Sequence, residues 1–159
     1  MSNAKTVPFE TTLEVRDACL CLHAQRAARV LARRFDEALR PLDLTNWQFS
    51  LLMALNRPEP PAMGAVAELL GIDRTTLTAA LKPLIRRGLV RSAPDRDDRR
   101  SRRLTLTRRA HALLSDALPI WKETQASVEA LLASSDPERL RRDLRAVSQR
   151  QAPEAHSAR

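Results

Sequence analysis

Residues 66–106 read VAELLGIDRTTLTAALKPLIRRGLVRSAPDRDDRRSRRLTL, and how this stretch is read decides the fold. Its first half holds two short amphipathic runs hinged at Gly71, a residue type that supplies the left-handed backbone of a tight interhelical turn. A helix over Met63–Leu70 precedes the hinge. Asp73 follows it as an N-cap whose carboxylate favours the positive end of the next helix. Gly88 stops that helix. Leu89–Ala93 and Arg103–Leu106 then read as strands, with Leu104 and Leu106 alternating against Thr105. Between them Pro94-Asp-Arg-Asp-Asp-Arg-Arg100 is a polar turn. Gly64, Gly71 and Gly88 are the only glycines in the chain, and all lie in or beside this stretch.

The helix opened by Asp73 has two faces. Leu77, Ala80, Leu81, Leu84 and Ile85 fall at i, i+3, i+4, i+7 and i+8, the spacing of a buried face. The other face carries Arg74, Thr75, Thr78, Ala79 and Lys82, with Thr76 near the edge. Threonine is a mediocre helix former. Three threonines beside cations suit close approach to base edges and phosphates, against the bland alternative of surface filler. Pro83 removes the backbone bond to the Ala79 carbonyl and predicts a bend. Two helices, one with a polar outward face, followed by a basic hairpin, give the layout of a winged helix-turn-helix.

Charge supports that layout by its location. The chain of 159 residues carries a net charge of +8. Residues 73–109 hold twelve Lys/Arg against four acids, a net +8 that equals the excess of the whole chain. A basic excess confined to one stretch is the footprint of a polyanion partner. A merely solvated face mixes its signs, and a membrane-binding helix would carry its cations along one face rather than in a turn. Apolar residues at 43% and charged residues at 29% fit a globular protein. No run reaches the ~18 apolar residues of a membrane span and no secretory pattern opens the chain, so a cytoplasmic protein without membrane association is expected.

The flanks read as helices. Thr11 or Thr12 caps a single long helix from Leu13 to Leu39, with Leu20, Ala24, Ala27, Leu31, Phe35 and Ala38 as its stripe and Pro41 ending it. That length exceeds what a small core requires, so part of it is expected to pack on a partner chain. Thr45 and Gln48 form a capping box for a helix reaching Leu55, followed by the breaker loop Arg57–Pro61. Thr107 opens a long helical region with Pro119 inside it, predicting a kink. Ser135 or Asp136, with Pro137 in the first turn, starts a last helix through Ser148 whose stripe is Leu140, Leu144 and Val147. The expected organisation is a flexible N-terminus (1–12), an N-terminal dimerisation helix (13–44), a DNA-binding domain (45–109), C-terminal dimerisation helices (110–150) and a flexible tail (151–159). The fold class is mainly α with a small β-wing.

This order resembles the MarR family of dimeric transcriptional regulators. The likeness rests on Leu44-Thr45, on Ala67-Glu-Leu-Leu-Gly-Ile72, on Leu84-Ile-Arg-Arg-Gly-Leu-Val90 and on Asp98-Arg-Arg-Ser-Arg-Arg-Leu-Thr-Leu-Thr107, and spans about Leu13 to Leu132. Ala110 departs from the glycine that the family commonly has after its Leu-Thr. The resemblance implies a homodimer on double-stranded DNA, with recognition residues Arg74, Thr75, Thr76, Thr78 and Lys82. The wing residues would be Asp98, Arg99 and Arg100, with Arg96 a weaker candidate. Two-fold symmetry then places half-sites about 10 bp apart on a pseudo-palindrome. The expected activity is sequence-specific regulation, read as repression relieved by a small-molecule effector. The alternatives are a redox-sensing regulator acting through Cys19 and a non-specific nucleoid or architectural DNA-binding protein.

The resemblance also implies an effector cleft between the dimerising helices and the DNA-binding lobe, which would draw on His23, Arg26, Arg29, Trp47 and Trp121, whose cations and rings suit a small aromatic or anionic ligand. Cys19 and Cys21, the only cysteines, rule out a disulfide framework. On one continuous helix their side chains diverge by about 160°, which opposes a mutual disulfide and spreads the donors of Cys-x-Cys-x-His too widely for a metal. Arg16 and His23 flank Cys19 at i−3 and i+4 and would favour its thiolate. Some regulators of the family sense peroxides through a cysteine near this place, with tyrosines bonded to it. This chain has no tyrosine, and a small buried apolar role is the plainer reading. No cofactor or metal is implied. An enzyme is disfavoured, since phosphate loops, nucleophile triads and metal spacings are all missing from the sequence.

Overall fold

A computed structural model describes residues 6–95, 102–132 and 134–149. The expectations for the first five residues, for the wing turn at 96–101 and for the tail lie outside the described residues.

Two helices stand where one was expected. α1 spans Phe9–Ala18 and α2 spans Leu20–Leu39, with Cys19 between them in extended backbone at ψ 102°. The start also shifts: Pro8 occupies the N-cap, without a side-chain cap, instead of Thr11 or Thr12. No Gly or Pro marks the break. Side chains stabilise it by taking up backbone groups that the break releases. The Cys19 thiol accepts the Leu22 N–H at 3.4 Å, and the His23 ring donates to the Asp17 carbonyl at 3.2 Å. After Leu39 a short 3-10 turn, Arg40–Leu42, contains Pro41 and ends at Asp43 in left-handed backbone.

α3, Asn46–Leu55, opens with the expected capping box between Thr45 and Gln48. α4 (Met63–Leu70) and α5 (Arg74–Arg86) are the helix pair hinged at Gly71, whose φ is +65°. α5 runs through Pro83 without interruption. β1, Val90–Pro94, pairs antiparallel with β2, Arg102–Leu106, so that Val90 faces Leu106 and Pro94 faces Arg102. These strand limits lie within one residue of those read from the sequence. Ala62 adds a single bridge to Arg103, so the loop before α4 also touches the hairpin. α6, Arg108–Glu129, starts at Thr107, whose hydroxyl accepts the Ala110 N–H, and it runs through Pro119. α7, Pro137–Ser148, is capped by Asp136.

One core holds the centre of the chain. Leu51 and Leu52 of α3, Val66 of α4, Leu77 and Leu84 of α5, Leu104 of β2 and Ala110 of α6 are all fully buried in it. Burying a leucine of this kind contributes about 1.5–3 kcal/mol. The buried face of α5 is narrower than its sequence pattern. Leu77, Leu81 and Leu84 are inside, Ala80 is half-buried, and Ile85 is 42% exposed. Ile85 lies about 80° around the helix from Leu77, at the edge of the stripe.

The end helices differ. α1 and α7 have no buried residue, and α2 buries only Phe35 and Leu39. Leu20 is 78% exposed and Val147 is 73% exposed. α7 is tied to α6 by Arg141, which donates to Glu129 at 2.7 Å and to Glu138 at 2.6 Å.

Candidate nucleic-acid interface

The outward end of α5 is built from local chemistry. The Gly71 N–H bonds to the Glu68 carbonyl and the Ile72 N–H to the Ala67 carbonyl, closing α4 in a Schellman motif. The chain then turns directly into Asp73. That carboxylate accepts the Thr76 N–H at 2.7 Å and the Thr76 hydroxyl at 2.8 Å. These bonds from Thr76 hold the Asp73 carboxyl below its ordinary value. Thr76 therefore has a structural role in the helix cap, which neither the groove reading nor the surface-filler alternative assigned to it. The Thr78 hydroxyl also bonds within the helix, donating to the Arg74 carbonyl at 2.7 Å. Both hydroxyl oxygens keep lone pairs for a further donor.

Arg74, Thr75, Thr76, Thr78 and Lys82 are all exposed on α5. The Arg74 guanidinium lies back over the first turn of α4, so close that a Cβ at Gly64 would stand 3.1 Å from its Nη2. The other expected DNA contacts, Arg96, Asp98, Arg99 and Arg100, lie outside the described residues.

Several basic residues in the same stretch are engaged within the chain, which a charge count does not reveal. Arg87 donates to Gln48 at 3.3 Å and pairs with Asp43 at 3.4 Å, joining the end of α5 to the start of α3. Arg109 donates to the Arg87 carbonyl at 3.1 Å. Arg102 reaches across the hairpin to the Ser92 hydroxyl at 2.7 Å and its carbonyl at 2.9 Å. Arg103 pairs with buried Asp95. Thr107 fixes the base of the hairpin by donating to the Gly88 carbonyl at 2.8 Å while capping α6. The Leu-Thr at the hairpin exit is thus a hinge between three elements. The usable signal in the sequence was the pairing distance across a hairpin, which brings position 92 to 104 and its neighbours together.

The candidate effector residues are spread over three helices, α2, α3 and α6. His23, Arg26 and Arg29 are exposed on α2, and Trp47 is 39% exposed on α3. Trp121 instead stacks on Phe49 with ring centroids 6.2 Å apart. Three clefts among the described residues have other linings: one runs along Asp36, Asp43 and Arg87, one along the Arg57–Ala62 loop and Arg103, and one between Gly71–Arg74 and the end of α7.

The cysteine surroundings also differ from expectation. Cys19 is the helix junction, so the 160° divergence of a continuous helix does not apply. Arg16 and His23 turn to Asp17 rather than to Cys19, with Arg16 donating to its carboxylate at 2.6 Å. That pair lowers the Asp17 carboxyl and raises the Arg16 guanidinium. Cys21 is exposed and accepts from the Gln25 amide at 3.2 Å.

Known proteins share this architecture. A MarR family profile matches residues 42–101. The structure of the M. tuberculosis transcriptional regulator MosR in complex with DNA is 40% identical, covering 82% of this chain and 94% of MosR, at a TM-score of 0.75. MosR alone is 39% identical over 84% of this chain and 95% of its own, at a TM-score of 0.71. The transcriptional repressor CouR, bound to a 23-mer DNA duplex, is 25% identical over 91% of this chain and all of its own, at a TM-score of 0.76. A fold assembled from a Schellman-hinged helix pair and a basic hairpin, with this identity over nearly the whole of a known regulator, places the chain in the MarR family of winged-helix DNA-binding transcriptional regulators.

Proposed function

We propose that the chain is a sequence-specific repressor that binds a pseudo-palindromic operator as a homodimer and is released by a small-molecule effector. The observation carrying this is the exposed polar face of α5, where Arg74, Thr75, Thr76, Thr78 and Lys82 stand on a helix whose opposite face is locked into the core. Side chains on a rigid helix end read base edges, while a loosely held basic patch reads only phosphates. The wing residues Arg96, Asp98, Arg99 and Arg100 add contacts to the flanking backbone or minor groove. The apolar faces left open on α1, α2 and α7 support pairing with a second copy, which would hold two α5 helices about one helical turn of DNA apart. The description of CouR as a repressor supports the sign of regulation. His23, Arg26, Arg29, Trp47 and Trp121 suit an aromatic or anionic effector bound near the dimerising helices.

Fluorescence anisotropy at physiological salt tests the reading. The DNA upstream of the chain's own coding region should bind at least ~10³-fold more tightly than a scrambled duplex. Equal affinities would leave only the architectural alternative.

A second reading concerns the signal, and the helix break at Cys19 favours it. Its thiol is the N-cap acceptor of α2. A hydroperoxide would transfer one oxygen to this sulfur, giving a sulfenic acid and releasing the alcohol, and so alter the cap at the junction of two dimerising helices. On this reading peroxide weakens operator binding by the wild-type protein and leaves Cys19→Ser unaffected; equal loss in both sinks it.

A further inference from the structure

The paired part of the hairpin ends at Pro94 and Arg102; Asp95 follows Pro94 out of the ladder, and Arg103 is the ladder residue next to Arg102, opposite Ala93. Asp95 is only 7% exposed, one of two buried polar residues among those described. A carboxylate in such a place is costly unless a cation and further donors meet it. The Arg103 Nε donates to that carboxylate, and its Nη1 donates to the Pro60 carbonyl at 3.0 Å. The backbone repeats the link. The Leu104 N–H bonds to the Pro61 carbonyl at 3.2 Å, and Ala62 bridges to Arg103. One guanidinium therefore joins three segments: β2, the residue entering the wing turn, and the proline loop that leads into α4. That loop leads directly into α4, and α4 packs on both α5 and β2.

We propose that Asp95 and Arg103 form a brace that fixes the wing relative to α5, and that Arg103 is a positioning residue rather than a phosphate contact. The planar fork of arginine meets two acceptors at once, which a lysine ammonium in the same place does not do. The proposal rests on the wing reading given above, in which Arg100 touches DNA.

The two accounts of these residues predict opposite signs. If Asp95 is only a negative charge near DNA, removing it tightens binding. If it is half of a brace, removing it releases the wing and weakens binding. Anisotropy titrations on the upstream duplex, repeated across a salt series, separate the two. The proteins are wild type, Asp95→Asn, Arg103→Lys, Arg103→Gln, the Asp95→Asn/Arg103→Gln double variant and Arg100→Ala.

The brace predicts that Asp95→Asn and Arg103→Lys each bind about tenfold more weakly, the loss of one charge-assisted hydrogen-bond pair. The double variant should be no weaker than Arg103→Gln alone by more than about twofold, because the two residues act as one unit. Arg103→Gln should lower the salt slope by more than the ~0.9 of a single lost phosphate contact, since the wing contacts leave together. Should burial make Asp95→Asn misfold, as read by circular dichroism, Arg103→Lys carries the test alone, because that side chain is 43% exposed. Wild-type affinity in Arg103→Lys, or equal or tighter binding by a folded Asp95→Asn, overturns the brace. An unchanged affinity in Arg100→Ala instead removes the wing reading beneath it, a separate failure.

Discussion

Every buried side chain among the described residues lies between Phe35 and Thr124, while α1, the first half of α2 and α7 bury none. Both regions are rich in leucine, valine and alanine, so composition does not separate them. Closure does. In the central lobe the apolar faces of α3, α4, α5, the hairpin and α6 meet one another, and the lobe is complete in one copy. In the end helices the stripes at Leu20, Leu31, Leu140, Leu144 and Val147 meet solvent. A reading head whose core closes within one copy can be moved as a body, and in the proposed homodimer the pairing of the end helices would move it.

Breaking each region should therefore give a different signature. The largest effect is expected from Leu84→Ala, which removes a fully buried side chain of α5. It should cost about 2–5 kcal/mol, seen as a fall in melting temperature that does not depend on protein concentration. Leu144→Asp on α7 should instead shift sedimentation from dimer to monomer and abolish the concentration dependence of apparent stability expected of the dimeric wild type. Its operator affinity should fall by about a hundredfold through lost bivalency. A Leu144→Asp protein that stays dimeric would remove α7 from the interface.

Within the lobe the effects are smaller. Arg74→Ala should weaken operator binding by about tenfold and relax sequence preference, whereas Lys82→Ala should weaken all duplexes alike and lower the salt slope by about one. The smallest effect is a pH dependence. Thr76 holds Asp73 below its ordinary value of 3.8, and Gln125 and Arg141 lower Glu129. A carboxyl depressed in the folded state adds stability above its unfolded pKa and loses it as pH falls through the folded one. Thermal stability should thus decline as pH drops below about 4, and Asp73→Asn should be less stable at neutral pH with a shallower acid decline. An unchanged acid profile in Asp73→Asn would remove the cap from the account.

The legible and illegible parts of the sequence divide along a physical line. Most features set within four or five residues were readable: the Thr45 capping box, the Gly71 hinge and the Gly88 stop, the Asp73 and Thr107 caps, Asp136 as one of two candidate caps, and both strands; the start of the first helix, read at Thr11 or Thr12 and observed at Pro8, was not. Features set by tertiary partners were not. The break at Cys19 has no Gly or Pro to announce it and depends on where the thiol and the His23 ring find backbone groups. The exposure of Ile85 depends on the width of the face that the neighbouring helices cover. The concentration of arginines in the hairpin was visible as charge, but the engagement of Arg87, Arg102 and Arg103 inside the chain was not, since each finds its acceptor across a turn or on another element.

The central claim is that the end helices hold two copies of a rigid reading head at one spacing. Its most direct test is anisotropy on the upstream operator with 5 bp inserted between the half-sites, which turns one site to the opposite side of the duplex. The account predicts that affinity falls to that of a single half-site, by about a hundredfold or more. Unchanged affinity would show that each copy binds alone, and would contradict it.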